Sequence, residues 1–102
     1  TDVNGNVFVT GYTDGGLDGN TNEGFSDPFL VKFDAAGTKI WTKQLGTIEV
    51  DEASGIATDV GGNAYVAGHT SGGLDGNTNA NTDEFVSTSD LFLVKYDTNG
   101  TK

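Results

Sequence analysis

The feature that most constrains the fold is an internal repeat. When the sequence is shifted by 57 positions, residues 1–22 align with residues 58–79, and 16 of these 22 positions are identical. After a six-residue insertion, residues 26–39 align with residues 89–102, with ten of 14 positions identical. A repeat of this length is typical of arrays in which each unit packs against its neighbours. We therefore expect the chain to fold as two copies of one unit.

Each copy contains short stretches with the two-residue alternation of β-strands, and no stretch has the 3.6-residue period of a helix. Turns rich in Asp, Asn and Gly separate these stretches, as in antiparallel sheets. The predicted strands of a complete repeat are residues 53–58, 63–70, 91–96 and 39–45, and residues 6–13 and 29–33 are counterparts of the second and third. We expect an all-β fold of antiparallel four-stranded units, each resembling one blade of a propeller.

Five stretches carry a family resemblance, namely residues 54–59, 62–70, 72–79, 89–97 and 39–46. Together they resemble the seven-bladed bacterial β-propeller repeat family, also written as the SBBP repeat. The resemblance implies a β-propeller in a secreted or cell-surface bacterial protein.

Two copies would form about two blades, a fragment of a larger ring. Residues 1–52 are expected to supply strands two to four of one blade, and residues 53–102 to supply strands one to three of the next. Two blade faces and two strand edges would then be open. Apolar burial stabilises by about 25 cal/mol per Å², whereas ordering costs roughly 1.5 kcal/mol per residue. Since only 34% of the residues are apolar, we expect stability only within a longer chain or in a ring of several copies.

Charge and composition exclude several classes of function. The formal charge is −10, from 15 acidic residues and five basic ones, so a phosphate backbone would be repelled and nucleic-acid binding is not expected. The absence of cysteine excludes disulfides and thiolate metal sites. No apolar stretch approaches the roughly 18 residues of a membrane span.

One loop in each copy carries oxygen side chains at every second position, which suggests a calcium site. Ca²⁺ binds six to eight oxygen ligands, and a turning loop can direct alternate side chains inward. The loop lacks the glycine and glutamate positions of an EF-hand. The alternative is a long Asx-turn loop whose side chains bond the backbone. The candidate ligands are Asp18, Asn20, Asn22 and Asp27 in the first copy, and Asp75, Asn77, Asn79 and Asp83 in the second.

The remaining chemical signals favour structural roles. His69 is the single histidine, so it cannot form a metal cluster or a nucleophilic triad alone, and packing is expected. Trp41 is expected to pack between blades in preference to stacking on a sugar. Asp51 and Glu52 form an acidic pair that we expect to be solvated. No catalytic residue or organic cofactor is predicted.

These features predict an extracellular scaffold or binding module, calcium-stabilised and non-catalytic in this segment. Its expected partners are other blades of the same or neighbouring chains, and a protein or glycan. One alternative is a part of a propeller enzyme, such as a hydrolase, lyase or dehydrogenase, whose active residues lie outside this segment. A second alternative is a self-assembling component of a surface layer or filament, in which open edges pair between chains.

Overall fold

The computed structural model describes residues 1–77 and 89–102 and contains two antiparallel sheets. The first sheet has the order β1-β2-β3 and the second has the order β4-β5-β6. Among the described residues the only helical segment is one 3-10 turn, Leu74–Gly76, and no helix there is long and apolar enough to cross a membrane. The strands are β1 (Val7–Thr13), β2 (Asp27–Phe33), β3 (Lys39–Gln44), β4 (Asp51–Thr58), β5 (Ala64–Thr70) and β6 (Asp90–Tyr96).

The predicted all-β antiparallel fold is confirmed, but the sheets have three strands each and not four. The first sheet corresponds to the segments predicted as strands two to four of a blade, and the second sheet to those predicted as strands one to three. Neither sheet is therefore a four-stranded blade by itself. The strand β4 also begins at Asp51, two residues before the predicted start at Ala53.

The two copies of the repeat adopt the same strand register. Phe8 pairs with Lys32 in the first sheet, and their counterparts Tyr65 and Lys95 pair in the second. The register follows from the alternation of side chains, because a shift by one residue would exchange the two faces of a strand.

The turns after β2 and β6 are also the same. Asp34 Oδ1 accepts two backbone N–H groups at 2.9 and 2.8 Å, and Asp97 Oδ1 accepts two at 2.9 Å each. Gly37 and Gly100 complete these turns with φ of 85° and 79°, a conformation that glycine adopts without steric cost. The sequence repeat therefore extends to the geometry of the turns.

The hydrophobic core lies where the two sheets pack face to face. Leu30 and Val66 are fully buried there, one from each sheet. Trp41 packs against Tyr96 with ring centroids 6.4 Å apart, so an aromatic contact joins the end of the first sheet to the second. The buried apolar residues are Phe8, Leu30, Leu45, Ala53, Ala64, Val66, Leu74, Val94 and Tyr96.

Candidate functional site

The Asp18 loop is held by hydrogen bonds to the neighbouring strand β3. The Asp18 carboxylate accepts from Lys39 Nζ at 2.7 Å and from Thr42 Oγ1 at 2.5 Å. These bonds, that from Lys39 above all, lower the pKa of Asp18 below its ordinary value. Asn20 Nδ2 donates to the Leu17 carbonyl at 2.7 Å. Asn20 thus bonds the backbone, as the Asx-turn alternative predicts, whereas Asp18 bonds two side chains of β3.

The second copy of the loop repeats these contacts. Asp75 is paired with Lys102, which is the counterpart of Lys39. Asn77 Nδ2 donates to the Leu74 carbonyl at 2.9 Å. Asp18 and Asp75 share a positive φ, 49° and 53°, which short polar residues tolerate better than other non-glycine residues.

Asn22 and Asp27 meet at Gln44, away from the Asp18–Lys39 pair. Gln44 Nε2 donates to Asn22 Oδ1 at 3.3 Å and to Asp27 Oδ2 at 3.1 Å. The Glu23 backbone N–H also donates to Asp27 Oδ2, at 2.6 Å. Asp27 is fully buried, and its Oδ1 atom has no hydrogen-bond partner among the described residues.

Calcium binding by these loops stays a prediction. Within residues 1–77 and 89–102, no group of three or more acidic or histidine side chains is placed to hold a metal ion. Asn79 and Asp83, two of the predicted ligands, lie outside the described residues. The loops bring Asn22 and Asp27 together and direct Asp18 toward a lysine.

A second buried carboxylate was missed by the sequence analysis. Asp51, expected to be solvated, is fully buried at the start of β4. It accepts from the Thr47 backbone N–H at 2.5 Å, from Thr47 Oγ1 at 2.9 Å and from the Thr70 hydroxyl. The N–H at position i bonding the carboxylate at i+4 is the arrangement also seen for Glu23 and Asp27. The available signal was this spacing, with a threonine four residues before the acid.

Each sheet has two faces that can be matched through the repeat. We define the leading face by Phe8, Leu30, Lys32 and Trp41 in the first sheet and by Tyr65, Leu91, Leu93 and Lys95 in the second. We define the trailing face by Val7, Val9, Phe29 and Val31 in the first sheet and by Ala64, Val66, Phe92, Val94 and Tyr96 in the second. The core forms where the leading face of the first sheet packs on the trailing face of the second.

Equivalent positions differ greatly in exposure because only one face of each sheet is covered. On leading faces, Leu30 is 0% exposed and its counterpart Leu93 is 69% exposed. On trailing faces, Val66 is 0% exposed and its counterpart Val9 is 43% exposed. The second sheet therefore has an open leading face and the first sheet an open trailing face, and each matches a face that is buried in the core.

Polar contacts fix how the two sheets meet. Lys32 Nζ and Trp41 Nε1 both donate to the backbone carbonyl of Thr98, at 3.1 and 3.2 Å. Thr98 lies in the turn after β6, and Gly100 of that turn lies against the Trp41 ring. Trp41 thus packs between the sheets, as predicted.

His69 lies on the leading face of the second sheet beside Glu52. Its Nε2 atom is 3.4 Å from Glu52 Oε2, and both side chains are partly exposed. The pair is a surface contact of the kind that contributes little to stability.

Comparison with known proteins gives one family. The family model of the SBBP beta-propeller repeat matches residues 40–75, which run from β3 of the first sheet through β4 and β5 to the Leu74–Gly76 turn. A search of curated proteins found no match to the chain. The matched segment includes the connection between the two sheets, which links β3 to β4. Residues 40–75 are therefore similar to the SBBP beta-propeller repeat.

Proposed function

We propose that this chain is a segment of a β-propeller that acts as an extracellular, non-catalytic scaffold or binding module. The observation that supports this most strongly is the stacking of two sheets that share two equivalent strands, with the leading face of one on the trailing face of the other. Stacked sheets of this kind bury their apolar faces by adding further sheets, and a ring is the arrangement in which every face is covered.

In this proposal each three-stranded sheet is completed to a four-stranded blade. The strand β3 pairs with β2 in the first sheet, so an equivalent strand would pair with β6 in the second. Lys102 is the counterpart of Lys39 in the repeat. A chain in which residues 40–102 follow Lys102 directly would therefore continue the repeat in phase and supply that strand.

The extended chain, residues 1–102 followed by 40–102, tests the proposal. We expect the added copy of residues 40–44 to protect the amides of β6 from hydrogen exchange and to raise the melting temperature, because an open strand edge becomes paired. The control is the same extended chain with those five added residues replaced by a Gly/Ser stretch. Equal protection of β6 in the two chains would contradict the completed blade.

The scaffold role is supported by the near-identity of the two copies. A catalytic site needs a particular set of polar groups that converges at one place in the fold. Here the polar groups of the loops recur in both copies with the same structural partners, the Asp18–Lys39 and Asp75–Lys102 pairs. Such recurrence favours a role in holding strands together.

A further inference from the structure

The open leading face of the second sheet repeats the lysine–aromatic contact of the covered leading face of the first sheet. Lys32 Nζ lies 5.5 Å from the centroid of the Phe8 ring, and Lys95 Nζ lies 5.5 Å from that of Tyr65. Lys32 is buried and reaches the Thr98 carbonyl, whereas Lys95 is exposed. The lysine is thus already in the geometry in which its counterpart contacts a neighbouring sheet.

The open trailing face of the first sheet carries the matching acceptor. The counterpart of Thr98 is Ala35, in the turn that follows β2. That turn has the same Asp-bonded backbone and the same positive-φ glycine as the turn containing Thr98. The Ala35 carbonyl therefore takes the place in its turn that the Thr98 carbonyl takes in the other.

We propose that a second copy of this chain docks on the first, with the trailing face of its first sheet on the leading face of the second sheet. In this interface Lys95 Nζ donates to the Ala35 carbonyl of the second copy, and Leu91 and Leu93 pack against Val7 and Val9. The proposal rests on the proposed function, since it extends the interface inside the chain to one between chains. A contact of this head-to-tail type repeats, and it closes into a ring when the rotation per copy allows.

The occupant is a second copy because the covering surface is already present on the same chain. The leading face buries Leu30 against a trailing face, and the only other trailing face in the described ranges belongs to the first sheet. A shallow groove on the open leading face, lined by Ser54, Ala67, Leu91 and Leu93 among others, provides space for the valines of β1.

Sedimentation velocity with two face-blocking variants tests this interface. Leu93→Glu places a charge on the leading face, and Val9→Glu places one on the trailing face, so we expect each to weaken self-association about tenfold or more. An equimolar mixture should form a 1:1 dimer, because each variant retains the face that the other lacks. Val60→Glu is the matched control, since Val60 is 87% exposed in the turn between β4 and β5 and should leave association unchanged.

The outcomes separate this proposal from the proposed function. Wild type that is folded by circular dichroism but monomeric at every concentration would overturn the docking and leave the blade assignment intact. A mixture that stays monomeric while wild type associates would overturn it too, because the contact would then use other surfaces. Should the 102-residue chain not fold alone, the same substitutions in the first and last sheets of the extended chain give the same comparison.

Discussion

Gly46 lies against the buried carboxylate of Asp27, and there is no space for a side chain between them. A Cβ atom at this position would overlap with Asp27 Oδ1. We expect Gly46→Ala to lower the free energy of unfolding by about 1–3 kcal/mol, because a fully buried carboxylate cannot move aside without losing its bonds to Gln44 and Glu23. Chemical denaturation measures the change.

Gly55→Ala is the control for Gly46→Ala. In the part of the chain that the structure describes, no heavy atom beyond the adjacent residues lies within 4 Å of a Cβ added at Gly55. This variant should therefore be neutral or slightly stabilising through the reduced entropy of the unfolded chain. Equal effects of the two substitutions would show that the Asp27 carboxylate is not packed as described.

The hydrogen bonds of Asp59 lead us to expect that the folded chain loses stability in acid. Its carboxylate accepts from Asn63 Nδ2, from the backbone N–H groups of Asn63 and Gly61, and from the Tyr65 hydroxyl. These bonds, with Asn63 first, lower the pKa of Asp59 from 3.8 to about 2. Because the folded-state pKa is lowered, the contribution to stability is complete above pH 3.8 and is lost as the pH falls toward 2.

Denaturation at a series of pH values checks this expectation. Wild type should lose stability across that window, and Asp59→Asn should lose less of it. An NMR titration of the Asp59 carboxyl carbon gives the direct measurement, and a midpoint at the ordinary value of 3.8 would contradict the hydrogen-bonded turn. Asp2, the counterpart in the first copy, has its pKa lowered in the same direction by Asn6.

At the scale of single residues, the repeat predicted which positions share a role, but neither the partners of those residues nor their burial. The recurrence of Asp18 and Asp75 indicated a common role, and the structure shows one in the two lysine pairs. The burial of Asp51 was not predictable from its acidic neighbour Glu52, because Asp51 is bonded by Thr47, four positions before it, and by Thr70, 19 positions further along the chain.

Among the elements, the strands were predictable because their alternation and their turns are local. The strand β3 was placed within one residue of its end. The bulge in β4 between Ala53 and Gly55 was not, since a bulge depends on how the strand pairs with its partner. The number of strands in each sheet likewise depends on which segments are present to pair.

The loop between β1 and β2 gives a prediction about calcium. Ca²⁺ at Asp18 would have to displace Lys39, which lies 2.7 Å from the carboxylate. Calcium bound to the folded loop should raise the melting temperature at constant ionic strength. We expect Lys39→Gln to increase that rise, because the competing cation is removed. Asp18→Asn should reduce it.

Magnesium at the same ionic strength is the control for the calcium experiment. Its smaller radius and strict octahedral geometry fit a flexible loop of amide and carboxylate oxygens less well. Equal shifts of the melting temperature with the two metals, unaffected by Lys39→Gln, would indicate screening of the acidic surface and would contradict a calcium site at Asp18.

For the whole molecule, the net charge of −10 opposes the stacking that the open faces favour. Each added copy brings the same negative charge close to the first, so repulsion grows with assembly. This repulsion acts over the Debye length, about 30 Å at 0.01 M salt and about 3 Å at 1 M. The apolar contacts of the open faces are not weakened by this screening.

We therefore expect sodium chloride to strengthen both the stability of the chain and its association. Val9→Glu separates the two effects, because it blocks the open trailing face and leaves the sheets themselves intact. In that variant the melting temperature should rise with salt while the sedimenting mass stays that of a monomer. If the mass of the wild-type assembly fell with added salt, charge pairs and not apolar faces would hold the copies together. The head-to-tail stacking of leading on trailing faces would then be the wrong description of how this molecule covers its open surfaces.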